Sequence, residues 1–193
     1  WDIVKLMEEK LSNELRYFKH SSYLDNDNKY YEYRKNKDYY AFSWDFVRSK
    51  WEKLLIDFLF QYNFEIKYEP YINIDWNYLS KPDLQINIVK NWKKLLSKDI
   101  IIEHWWFEQE DIFKKFPIWT IISWEEYTNI RKTKIEYWTK QVEQWNYYFI
   151  QTNSNDLYHD MNNFFEKLKQ ELLEIFNKEK IELKILEKDK IIK

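Results

Sequence analysis

The chain has 193 residues, 33% of them charged, with a formal net charge of −2. That length suits one domain with a real core, and the near balance of charge excludes a global basic field, so a nucleic acid or anionic membrane partner would have to be held by a local patch. The absence of cysteine excludes disulfides, thiolate metal sites and Cys nucleophiles and leans towards a cytoplasmic protein, while no run approaches the roughly 18–20 apolar residues of a membrane span and no signal-peptide pattern opens the chain.

Taken in chain order, residues 2–18 place Ile3, Leu6, Met7, Leu11 and Leu15 on one helical face. Residues 20–38 are polar and irregular and read as a loop or linker, so residues 1–45 are expected to form a helical extension ahead of a domain at 46–193. A helix is expected at about 44–62, capped by Ser49, with Leu54, Leu55, Phe58 and Leu59 buried. The period then changes. "FEIKYEPYINI" (64–74) alternates as a strand does, and "KPDLQINIV" (81–89) and "KDIIIEHW" (98–105) read as two more strands joined by the polar turn around "KNWKK". A long helix follows at about 123–144, then a buried strand "YYFIQT" (147–152). The next helix, at about 156–177, carries Met161, Phe164, Phe165, Leu168, Leu172 and Phe176, and "IELKIL" (181–186) reads as a short last strand. The order describes an α/β domain: a mixed sheet with helices against it.

Glycine is absent, Ala41 is the single alanine, and there are 11 tryptophans. An AT-rich gene accounts for the Lys, Asn, Ile, Tyr and Phe, but turns and helix ends with positive φ need glycine physically. Trp76, Trp92 and Trp145 stand in turn-like contexts where glycine would serve better. The hypothesis that follows is a UGA codon read as tryptophan where the source organism inserts glycine. The chain opens on Trp1 rather than Met, as expected of a fragment.

The acids fall at informative places. Asp83 follows Pro82 at the start of the second strand, and Glu103 closes the third. If those strands are neighbours, both carboxylates project from one end of the sheet and repel each other unless a cation lies between them. Oxygen donors without cysteine favour Mg²⁺ or Mn²⁺, and such an ion polarises a phosphodiester and activates water. Glu52, on the preceding helix, is a further candidate ligand. Each residue also has a plainer reading: Asp83 as a turn cap, Glu103 as a strand-end charge, Glu52 as an acid at the positive start of a helix, and Lys134 as part of the solvated basic run "RKTK".

In order, Ser49-Lys50-Trp51-Glu52, Tyr68-Glu69, Pro82-Asp83, Glu103-His104-Trp105-Trp106, then Tyr127 and Lys134, resemble the PD-(D/E)xK nuclease domain found alone or inserted in superfamily-1 DNA helicases. The likeness runs from residue 47 to about 186. It implies a restriction-endonuclease-like three-layer fold, with a central mixed sheet of about four to five strands flanked by helices. It implies a Mg²⁺- or Mn²⁺-dependent deoxyribonuclease of the kind used in DNA repair. Asp83 and Glu103 would hold the metal with the His104 carbonyl, Glu52 would assist, and Lys134 would supply the catalytic ammonium. Lys50, Tyr127 and Lys132 would contact DNA, and a superfamily-1 helicase would be a partner in cis or in trans. Trp51 and Trp106 occupy glycine positions of the family, Trp105 stands where the superfamily has its lysine, and Gln151 where relatives often have an acid. The alternatives are a catalytically inactive module of the same fold that binds DNA or docks a helicase, and a structural protein whose acids are surface charges.

Overall fold

The computed structural model describes residues 39–41, 46–47, 49–75, 78–90, 92–115, 122–144 and 146–185. The helix and linker expected at 2–38 lie outside them. The chain divides into two compact units, residues 1–63 with 184–193 and residues 64–183.

In the first unit, β1 (Tyr39–Tyr40) pairs antiparallel with β2 (Phe46–Val47), and α1 spans Lys50–Phe60. Ser49 starts that helix through a capping box. Its hydroxyl accepts from the Glu52 N–H at 3.1 Å, and its own N–H donates to the Glu52 carboxylate at 2.8 Å. Leu54, Leu55, Phe58 and Leu59 are buried, as their spacing predicts.

The second unit is an α/β assembly. Its strands are β3 (Glu65–Tyr68), β4 (Ile72–Asp75), β5 (Tyr78–Ser80), β6 (Leu84–Asn87), β7 (Val89–Lys90), β8 (Lys93–Lys94), β9 (Asp99–Trp105) and β10 (Tyr147–Asn153). Its helices are α2 (Glu110–Phe113), α3 (Trp124–Glu143), α4 (Ser154–His159) and α5 (Met161–Lys178). A mixed four-stranded sheet runs β10-β9-β6-β3, with β10 parallel to β9 and the other pairs antiparallel. β9 is central and buried along its whole length, which accounts for its unbroken isoleucines. Ile101 packs with Trp138 of α3 and with Phe149 of β10. The apolar stripe of α5 (Phe164, Phe165, Leu168, Leu172, Ile175 and Phe176) is buried, and Phe176 meets Phe64 edge-on at 5.8 Å.

Three expectations are corrected. The strand expected over 64–74 is two, β3 and β4, because Glu69 takes a left-handed backbone (φ 43°) and Pro70 follows it. The helix expected over 156–177 is also two, because Asp160 is extended and caps α5, its carboxylate accepting from the Asn163 N–H at 3.0 Å. The last strand is absent among the described residues of 181–185: Lys180 turns left-handed (φ 57°), and the Ile181 N–H closes back on the Phe176 carbonyl at 2.9 Å instead of joining a ladder.

The tryptophan hypothesis meets one direct observation. Trp92, in the tight turn between β7 and β8, has φ 63° and is 100% exposed. A bulky side chain is out of place there, since left-handed backbone costs L-residues about 1–2 kcal/mol and glycine nothing comparable. Trp51 and Trp106 are not left-handed, while Trp76 and Trp145 lie outside the described residues.

Candidate functional site

Strand register decides which side chains meet. Leu84 faces Ile102 in the β6–β9 ladder, so the next residues outward, Asp83 and Glu103, stand opposite each other on one face. On the far side of β6, Tyr68 faces Leu84, and the Glu69 N–H donates to the Asp83 carbonyl at 2.8 Å. Three acids therefore lie near one end of the sheet: Glu69 just after β3, Asp83 just before β6 and Glu103 two residues before the end of β9. Lys81 Nζ lies 2.5 Å from Glu69 Oε2, which leaves Asp83 and Glu103 as the inner pair.

α3 supplies the opposing charge. Its start is fixed by a capping box in which the Ser123 hydroxyl accepts from the Glu126 N–H at 3.1 Å and the Ser123 N–H donates to the Glu126 carboxylate at 2.7 Å. Tyr127, Arg131, Lys134 and Trp138 then recur every three or four residues, on one face. They follow the exit of β9 backwards. The Tyr127 hydroxyl accepts from the Phe107 N–H at 3.1 Å, and Arg131 lies over the Trp105 ring at 5.4 Å. Lys134 Nζ donates to Glu103 Oε2 at 2.8 Å and to the Lys81 carbonyl at 3.2 Å, and the Trp138 indole N–H donates to Glu103 Oε1 at 3.0 Å. Both Glu103 oxygens are thus held, and the residue is fully buried.

Burial raises the pKa of both members of this pair. Burial, then the neighbouring Asp83 charge, raises the Glu103 carboxyl to about 7, although Lys134 and Trp138 oppose the shift. Burial also raises Asp83, against the His104 N–H, which donates to its Oδ2 at 2.6 Å, and against the Lys134 charge. Burial and mutual proximity therefore make this pair hold a proton more readily than free carboxyls do, and a cation bound there would take that proton's place. A hard divalent cation fits that oxygen-only donor set. Among the described residues no cluster of three or more His, Asp or Glu side chains is arranged around an ion, so backbone carbonyls, water or substrate oxygens would have to complete its shell.

The other candidates are placed as follows. The His104 side chain turns away from the pair: Nδ1 lies 2.8 Å from Thr152 Oγ1 and Nε2 2.9 Å from Ser154 Oγ, and burial lowers its pKa to about 4. His104 thus serves Asp83 through its backbone and ties β9 to β10 through its ring. The Tyr127 ring packs on Phe107, Phe113 and Trp124 at 5.6–5.8 Å, which makes it a brace for the β9 exit. Lys132 is exposed and lies 3.9 Å from Glu136. Glu52 and Lys50 belong to the first unit, where the Glu52 carboxylate closes the α1 cap. The Trp105 indole N–H donates to Gln151 Oε1 at 3.1 Å. Sequence reading missed Trp138, although its position four residues after Lys134 puts both on one helix face.

A cleft of about 370 Å³ lies at the opposite end of β9, beside Asp99, Lys94 and Tyr147. Its carboxylate is already saturated, since Asp99 accepts from Gln85 at 2.5 Å, Asn87 at 2.6 Å and Lys94 at 2.7 Å. Size alone therefore does not locate chemistry here. No family model, curated protein or solved structure matches the chain.

Proposed function

We propose that the chain is a metal-dependent nuclease that hydrolyses DNA phosphodiesters, with the restriction-endonuclease-like architecture and PD-(D/E)xK chemistry that its motifs resemble. The observation that carries this reading is the convergence of Asp83 and Glu103 on one face at one sheet end, with Lys134 Nζ 2.8 Å from Glu103. Asp83 and Glu103 would hold Mg²⁺ or Mn²⁺, which supplies Lewis-acid polarisation and a more acidic water when bound. Lys134, fixed by Glu103 and the Lys81 carbonyl, is the cation that stabilises charge developing on the phosphoryl oxygens or orients the attacking water. Trp138 holds the Glu103 carboxylate in place, and the His104 N–H does the same for Asp83. Because Lys134 arrives from α3, the tryptophan two residues after Glu103 leaves the charge set complete.

A second reading has one observation in its favour. Lys134 and Trp138 already occupy both Glu103 oxygens, which also suits an inactive module of this fold that binds DNA or docks a superfamily-1 helicase. Purified protein on plasmid and on single-stranded DNA with Mg²⁺ or Mn²⁺ separates the two. Cleavage lost in Asp83→Ala and in Glu103→Ala supports the nuclease; DNA binding without cleavage supports the inactive module; neither activity contradicts both.

A further inference from the structure

Two residues after Glu69 an aromatic ring is left open to solvent: Tyr71 is 73% exposed, while Phe107, Phe113 and Trp138 are buried. The ring follows Pro70 and the left-handed Glu69, so the backbone turn that ends β3 is what delivers it. Lys81 Nζ sits 5.5 Å from the ring centroid and is also the ion-pair partner of Glu69. The Lys81 carbonyl in turn accepts from Lys134 Nζ, whose other bond is to Glu103. A short chain of contacts, Tyr71 to Lys81 to Lys134 to Glu103, therefore ties the exposed ring to the rim where a scissile phosphate would sit.

That arrangement matches what a bare nucleobase needs. Base–aromatic stacking works with any base and requires an accessible ring face. A cation against the ring holds it in place and adds cation–π attraction. In a duplex the bases are already stacked on one another and offer no free face, so a ring of this kind recognises single strands. The Lys81 charge is shared with Glu69, so stacking rather than phosphate pairing is the dominant contact at this point.

We propose that Tyr71 is the residue of this site that stacks on an unpaired nucleobase of the bound strand near the scissile phosphate. The proposal rests on the nuclease reading for its scissile phosphate but concerns binding. The test measures fluorescence polarisation of a labelled short single strand, the same strand with abasic sites, and a hairpin duplex, in Ca²⁺ buffer. Wild type is compared with Tyr71→Ala and Tyr71→Phe, and circular dichroism checks their folding. The expected result is an affinity loss on the order of tenfold for the intact single strand in Tyr71→Ala. Tyr71→Phe should retain wild-type affinity, and the abasic strand should bind all three proteins equally. The salt dependence should be the same in wild type and Tyr71→Ala, because no phosphate contact is removed.

Equal single-strand binding by wild type and Tyr71→Ala overturns the platform, and cleavage by wild type in parallel leaves the nuclease standing. Tyr71-dependent binding without any cleavage in Mg²⁺ or Mn²⁺ keeps the platform and removes the nuclease. Preference for the duplex, or absence of binding to every probe, overturns the platform.

Discussion

β9 carries two buried carboxylates, Asp99 at its start and Glu103 two residues before its end, and the two are treated in opposite ways. Asp99 sits among Lys94, Asn87 and Gln85, and although burial pushes its pKa up, those hydrogen bonds win and hold it below the ordinary range. Glu103, four residues on, has Lys134 and Trp138 but also Asp83 across the ladder, and its pKa is raised to about 7. One end is a closed polar network that stabilises the turn leading into the strand. The other keeps two carboxyls crowded together, a cost that a purely structural site would be expected to shed. Burial of an acid is common to both ends. What separates them is the second acid, placed by strand register.

The sharpest way to break the comparison is to remove one acid at each end. Asp83→Ala or Glu103→Ala should lower DNA cleavage by about 10³-fold or more, because the metal loses a ligand. Asp99→Asn should leave cleavage intact and cost about 1–3 kcal/mol of stability through the unsatisfied donors around it. Chemical denaturation beside the nuclease assay reads both effects. Next in size is Lys134→Met, which should slow cleavage by about 10²-fold with metal affinity retained, since it removes a preorganised cation rather than a ligand.

The two ends should also give opposite pH dependences. Glu103 is raised from 4.5 to about 7 in the fold, so the stability it contributes is fully present below pH 4.5 and is lost as pH rises through about 7. Asp99 is depressed from 3.8, so its contribution is present above that value and is lost as pH falls through the lower folded value. Thermal unfolding of metal-free protein should therefore show a loss towards neutral pH that Glu103→Gln reduces, leaving the share of the likewise raised Asp83, and that Mg²⁺ offsets. Asp99→Asn should remove only its own share of the acid limb, leaving the loss that buried His104 brings as pH falls from 6.5 through about 4.

Smaller effects refine each end. Trp138→Phe keeps an aromatic ring but deletes the hydrogen bond to Glu103 Oε1, and should weaken Mn²⁺ binding by about tenfold. The titration of metal against the variant checks this. Trp92→Gly, in the hairpin that carries Lys94 to Asp99, should raise stability by about 1 kcal/mol, because it removes a left-handed tryptophan. Mass spectrometry of the protein from its natural source should find glycine at residue 92 if the codon hypothesis holds.

Much of the architecture was legible because local signals agreed. Ser49 caps its helix as expected, and Ser123, which likewise stands three residues before a glutamate, caps α3 without having been singled out from the sequence. The unbroken isoleucines of β9 read as a strand, and its place between β10 and β6 emerged only from the fold. The pairing of Asp83 with Glu103 was an expectation from their strand ends, but the register that puts them opposite depends on tertiary packing and leaves no local trace. Trp138 escaped notice because it is the one buried residue of α3, and one position sets no period. The left-handed turn at Glu69 was hidden by an alternating pattern that continues across it, and the final apolar alternation at 181–185 found no ladder to join.

The most direct measurement is calorimetric titration of Mn²⁺ into wild-type protein, Asp83→Ala, Glu103→Ala and Asp99→Asn. The account predicts ion binding in wild type that survives Asp99→Asn and disappears in both of the other variants. Failure of wild type to bind the ion, or binding that persists unchanged without Asp83 and Glu103, would contradict it.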